Sequence, residues 1–140
     1  MSRWLDSLQP WGALLLRLVL GCAMVYHGYG KVVPATGLHG SPIAAMEHFS
    51  RSVASLGLPP WLGYVSALTE FVGGALLVIG LVTRLAALLV AINMTVALVT
   101  VNLHKGYGAS EYTLALMAMA VMLLFYGAGA VALDRRLGLS

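Results

Sequence analysis

The sequence predicts an all-α protein, a bundle of four transmembrane helices with a short interfacial amphipathic helix in the first loop. Three observations carry this expectation. Of the 140 residues, 60% are hydrophobic, and the mean hydropathy is +0.90. Only 9% are charged, against about 25% in soluble domains, which need solvated groups over their surface. The apolar residues also gather into four segments of the length that crosses a bilayer, about 20 residues each. A chain of 140 residues is one domain, so residues 1–140 are expected to form a single integral membrane unit.

The first span is residues 11–30. It reads as a retained helix and not a cleavable signal, because it carries Arg17 and runs into His27 and Lys31 without a small-x-small site. The connection over residues 31–60 is long and opens with Pro34, Gly37 and Gly40. In its second half, residues 43–56, Ile43, Met46, Phe49, Val53 and Leu56 recur at three- and four-residue spacings, while Glu47, Arg51 and Ser52 lie elsewhere. That is the pattern of a helix lying on a membrane surface. Pro59 and Pro60 then precede the second span, residues 61–81. A turn from Gly80 to Arg84 leads into the third, residues 85–103, and Gly106 with Gly108 separates it from the fourth, residues 112–131. Short connections make neighbouring spans antiparallel.

Lys and Arg set the expected orientation. Arg3, Arg84, Arg135 and Arg136 lie on one side, and Lys31, Arg51 and Lys105 on the other. The excess favours both termini in the cytoplasm of a multi-pass protein of the plasma (inner) membrane, surrounded by lipid. Several function classes fall away. The longest basic cluster is Arg135-Arg136, which leaves no nucleic-acid footprint. The lone Cys22 forms no internal disulfide and no CxxC pair. No Gly-rich phosphate loop, Ser–His–Asp order or hydrolytic carboxylate pair is present. No HxxxH or ExxH spacing supports a metal site, and haem ligation by His27 and His104 is conceivable without a motif behind it. His39 and His48, in the long loop, carry no expected role.

An ionised side chain near the bilayer centre costs about 2.5–3.5 kcal/mol on insertion scales, so it faces the bundle interior and has a partner. Here the deep polar groups are Arg17, Glu70 and Asn93. Helical spacing places them on stripes. Arg17, Gly21, Met24, Gly28 and Lys31 share one face, and Gly63, Ser66, Glu70, Gly73 or Gly74, and Leu77 another. The third span offers Asn93, Ala97, Thr100 and His104, and the fourth Glu111, Ala115, Ala118, Met122, Phe125 and Gly129. Counting rise along each span puts Arg17 roughly 7 Å below Glu70. A direct Arg17–Glu70 ion pair, or a link through Asn93, is therefore expected. Such a pair either serves a ligand or only fixes helix register.

Nearer the other end, His27, Lys31, His104 and Glu111 are expected to gather beneath the long loop, with Tyr26, Tyr29, Tyr107 and Tyr112 close by. A quinone head group needs hydrogen-bond donors in a lipid-accessible pocket, and histidine can supply them. The plainer alternative is an aromatic belt with snorkelling cations.

Several of these residues also carry a resemblance. Arg17-Leu18 followed by His27-Gly28-Tyr29-Gly30-Lys31, then Glu70-Phe71-Val72-Gly73-Gly74 leading into Ile79-Gly80-Leu81-Val82-Thr83-Arg84, resembles the DoxX family of small four-helix membrane proteins. Gly127-Ala128-Gly129 and Leu133-Asp134 extend the likeness over nearly the whole chain. The family takes its name from a subunit of a thiosulfate:quinone oxidoreductase. The resemblance therefore implies a four-helix fold and a quinone-linked redox role, with Arg17, His27, Lys31 and Glu70 at the matching positions.

Two readings follow. In one, the chain is a redox-associated subunit that binds a quinone in the bundle and works with a partner oxidoreductase, which supplies the electrons. His27 or His104 then bonds a quinone carbonyl, Glu70 relays protons, Arg17 steadies Glu70, and Lys31, Asn93 and Glu111 line the site. In the other, the chain is a non-enzymatic adaptor that anchors soluble partners through the long loop. A solute or proton pathway would require a homo-oligomer, since four helices leave little room for a pore.

Overall fold

A computed structural model describes residues 2–34 and 40–139, which leaves His39 outside the described residues, as is the side chain of Arg3. Helix α1 covers Ser2–Val32, α2 Pro42–Ala54, α3 Trp61–Ile79, α4 Thr83–Lys105, α5 Tyr107–Tyr126 and the short α6 Leu133–Leu137. Four of them, α1, α3, α4 and α5, are long and apolar enough to cross a membrane. Leu15, Val19, Val72, Leu88, Ile92 and Val99 stand exposed in mid-span, as lipid requires and water forbids. The protein is a multi-pass membrane protein.

Two boundaries move from the sequence expectation. The first helix begins at Ser2 instead of residue 11, because Pro10 sits inside it and does not end it. Proline gives up its own helical N–H bond, and the carbonyl of Pro10 is taken by the N–H of Ala130 at 2.8 Å. The last span covers Tyr107–Tyr126 instead of residues 112–131. Gly127, with φ +80°, turns the chain out of the helix, and the apolar residues beyond it fold back against α1.

The bundle closes on small residues. A Cβ on Gly21 would lie 2.8 Å from the Gly74 carbonyl oxygen, and one on Gly74 would lie 2.7 Å from the Val25 nitrogen. Helices α1 and α3 therefore meet backbone to backbone, the usual route to close packing in lipid. Gly28 likewise abuts Phe71. These contacts set the register: Gly28 is level with Phe71, and Arg17 reaches Gly80. Leu20, Met24, Leu77, Val90, Leu116 and Leu123 fill the core between the four spans. Helix α2, capped by Ser41 on the Ala44 N–H, lies on the first turns of α3. There Ser50 Oγ donates to the Pro60 carbonyl at 2.6 Å.

Among the four expected interior stripes, the one on the fourth span is corrected. Glu111, Ala115, Ala118, Met122 and Phe125 are exposed, and Ser110, Thr113, Leu116, Ala120 and Leu123 are buried instead. Apolar residues surround this helix on every side, so periodicity does not single out its inner face.

Candidate functional site

Glu70 is 4% exposed and sits on a π-helical turn, Thr69–Gly73, inside α3. An extra residue in one turn breaks the regular ladder, and such turns often mark functional positions. Its two carboxylate oxygens are engaged by two helices. Lys31 Nζ on α1 donates to Oε2 at 2.5 Å, and Asn93 Nδ2 on α4 donates to Oε1 at 2.9 Å. The Lys31 side chain is 24% exposed, against 5% for Glu70. Its ammonium also stands 4.3 Å from the centroid of the Phe49 ring on α2. Lysine thus ties the long connection to the buried carboxylate.

The expected partnership of Arg17 with Glu70 is overturned. Arg17, 1% exposed, uses its guanidinium on backbone carbonyls, with Nη1 donating to Ala128 at 2.5 Å and Nη2 to Val131 at 2.9 Å. The register explains it. Arg17 is level with Gly80 and Glu70 lies ten residues earlier on α3, about 15 Å of helical rise away. Asn93 does bond Glu70, but it bridges to no arginine. At the Arg17 end, Asp134 completes a second lock by accepting the Val82 and Thr83 N–H groups at 2.6 and 2.8 Å. Val82 and Val131 both have positive φ, +45° and +48°, which is strained for a β-branched residue. Asp134 and Arg17 hold these two residues in place.

Two cavities border the Lys31–Glu70 pair. The larger, about 300 Å³, lies among α2, α3 and α4. Apolar side chains such as Val53, Leu62, Val65, Ile92 and Val96 form most of its wall, and Lys31, Glu70, Asn93, Thr69 and Ser66 supply the polar groups. Val65, Leu89, Ile92 and Val96 are themselves exposed, so the rim faces the lipid side of α3 and α4. The smaller, about 140 Å³, lies among α1, α3, α4 and α5 and is lined by His27, Lys31, Glu70, Tyr112 and Thr113 with Met24, Met94, Ala97 and Leu116. Lys31 and Glu70 line both.

The expected outer cluster is only half assembled. His27 bonds the Tyr112 hydroxyl at 3.1 Å and borders the smaller cavity. His104 and Glu111 are exposed and line neither. Arg17 lines neither as well. A second π-helical turn, Leu98–Asn102, explains the loss of His104. It adds a residue to the register, so the face begun by Asn93 and Ala97 continues to Asn102, which hydrogen-bonds Thr113, while His104 rotates outward. Sequence reading missed Asn102, Thr113, Phe49 and Asp134 as interior contacts. Phe49 had a signal in its place on the apolar stripe of α2, and Asp134 in the Leu133-Asp134 pair that carries the family resemblance. Among the described residues, no three His, Cys, Asp or Glu side chains gather into a metal-binding group.

Comparison with known proteins agrees with this architecture. Residues 12–103 match the family described as DoxX. The chain is also 32% identical over 124 residues to the Bacillus subtilis (strain 168) protein named "Putative oxidoreductase CatD", covering 88% of this chain and 84% of that one. No solved structure matches the chain. The chain belongs to the DoxX family.

Proposed function

We propose that this protein is a redox-associated subunit of the plasma (inner) membrane that binds a prenyl quinone in the larger cavity and works with a partner oxidoreductase. The observation that carries the reading is the cavity of about 300 Å³, apolar on its walls, open toward lipid and floored by a buried carboxylate hydrogen-bonded to a half-buried lysine. Ligand sites combine apolar walls with a few placed polar groups. An intramembrane ionisable cluster bordering a cavity points to function. The oxidoreductase named among the relatives accords with a redox role.

The residues present fit a quinone head group. Lys31 and Asn93 are donors for a carbonyl oxygen, and the Glu70 carboxylate is an acceptor for a hydroxyl. When bound, the quinone supplies a two-electron carrier that also takes up two protons on reduction. Lys31 and Asn93 hold Glu70 at the floor of the cavity, and Glu70 is the group placed to hold a proton beside the ligand. Val65, Leu89, Ile92 and Val96 leave an apolar exit for the prenyl tail. Arg17, His104 and Glu111 stand outside this site, and the excess of basic residues on one side supports both termini in the cytoplasm.

The test is mass spectrometry of lipid extracts from protein purified gently in detergent, with quinone titration of the delipidated sample. Quinone should co-purify with the parent and fall at least tenfold in Glu70→Gln and in Val96→Phe, which narrows the cavity. Absence of quinone from the parent, together with no binding in the titration, sinks the proposal and moves the chain to the adaptor reading.

A further inference from the structure

The Glu70 carboxylate has two faces, and they meet different surroundings. On one side is the apolar cavity just assigned to a ligand. On the other is the 140 Å³ cavity, whose polar lining is His27, Tyr112 and Thr113. Its volume holds several waters, each of which takes roughly 30 Å³ in the liquid, and its polar groups give such waters their two to four partners. The mouth is marked by His27 and Tyr112, both exposed and bonded to each other.

Along α1 and α5 that mouth lies close to the helix ends. His27 lies five residues before the end of α1, and Tyr112 five residues after the start of α5, so each is about 7 Å from its helix end. The close contact of Gly28 with Phe71 puts His27 at the level of Glu70. A path from the ends of α1 and α5 to the carboxylate therefore runs inward past His27 and Tyr112 and through the cavity.

We propose that the smaller cavity is a hydrated vestibule, gated by His27 and Tyr112, through which protons pass between the aqueous surface and Glu70. The vestibule rests on the quinone reading only for what the proton is used for. The step is a proton transfer. A vestibule water gives a proton to a Glu70 oxygen and regains one from a bulk hydronium ion, which becomes water, so the carboxylate becomes a carboxyl. The Lys31–Glu70 pair then goes from net zero to +1, and the reverse step restores it. The groups that face Glu70 are few. Lys31 and His27 come from α1, neutral Asn93 from α4 and the Tyr112 phenol from α5, while α2 contributes the Phe49 ring and Ser52 but no charge. Separate routes for ligand and proton keep water out of the apolar cavity.

Infrared difference spectroscopy on reconstituted protein, stepped in pH with no quinone present, tests this. A carboxyl band should follow bulk pH in the parent and be missing in Glu70→Gln. Leu116→Phe, which fills the vestibule, and His27→Leu, at its exposed mouth, should each slow that response at least tenfold. Val96→Phe, which fills only the larger cavity, should leave its rate as in the parent. If Leu116→Phe does not fold, His27→Leu decides alone. A response unchanged in the vestibule variants, one slowed by Val96→Phe instead, or no Glu70 band that answers pH would overturn the proposal. Because the measurement contains no quinone, its failure is distinct from a failure to bind quinone.

Discussion

Two levels of the bundle each bury a charge, and the charges have opposite duties. At one end the Arg17 guanidinium is occupied by carbonyls of the segment that follows α5, and Asp134 caps the start of α4. Neither of the two cavities touches either side chain. Midway along α3 Glu70 is held by two side chains and borders two cavities. A buried charge spent on backbone stabilises a turn, whereas one spent on side chains beside open volume is available to a ligand or a proton. Residue type does not separate the two cases. Surroundings do.

That contrast can be broken by mutation, and the largest effect belongs to the arginine. Arg17→Met leaves the Ala128 and Val131 carbonyls without their donor, at a cost of about 3–5 kcal/mol for several orphaned buried groups. Thermal unfolding in detergent and folded yield should both collapse; a variant as stable as the parent would remove Arg17 from its structural role. Arg17→Lys should recover only part of the loss, since one ammonium cannot reproduce a fork. Next comes Gly74→Leu, which forces α1 from α3 and should cost about 1–3 kcal/mol by overpacking. Asp134→Ala follows, with about 1–2 kcal/mol for a lost helix cap. Its partner Val82 should then exchange its amide hydrogen faster, which hydrogen-exchange mass spectrometry can read.

Glu70→Gln sharpens the comparison from the other side. Its amide can still accept from Asn93, and Lys31 reaches solvent, so stability should change by about 1 kcal/mol, the worth of one net hydrogen bond. Quinone binding should nonetheless weaken at least tenfold, about 1.4 kcal/mol. A stability loss as large as that of Arg17→Met would make both charges structural. The smallest effect is expected at Arg51, whose pair with Glu47 is more than half exposed on both sides. Arg51→Ala should shift unfolding by no more than about 0.5 kcal/mol.

Much of this was legible in the chain. Length, hydropathy and the Gly and Pro breakers gave four spans and a short amphipathic helix, because crossing lipid with every backbone group satisfied leaves few alternatives. The stripes through Arg17, Gly21, Met24, Gly28 and Lys31, and through Gly63, Glu70 and Leu77, follow the helical period, and both face inward. The intramembrane charges announced themselves through their cost.

Partnership was decided only in three dimensions. Register between α1 and α3 depends on where Gly21 meets Gly74, and a shift of a few residues moves Arg17 from Glu70 to Gly80. The π-helical turn at Leu98–Asn102, invisible to a count of 3.6 residues per turn, aims Asn102 inward and turns His104 out. The inner face of α5 had no apolar contrast to reveal it. Sequence determined which groups must be buried, since lipid penalises an unpaired charge wherever it lies. Tertiary structure decided what each one touches, since helices in lipid choose register by close packing of small residues and not by the position of their charges.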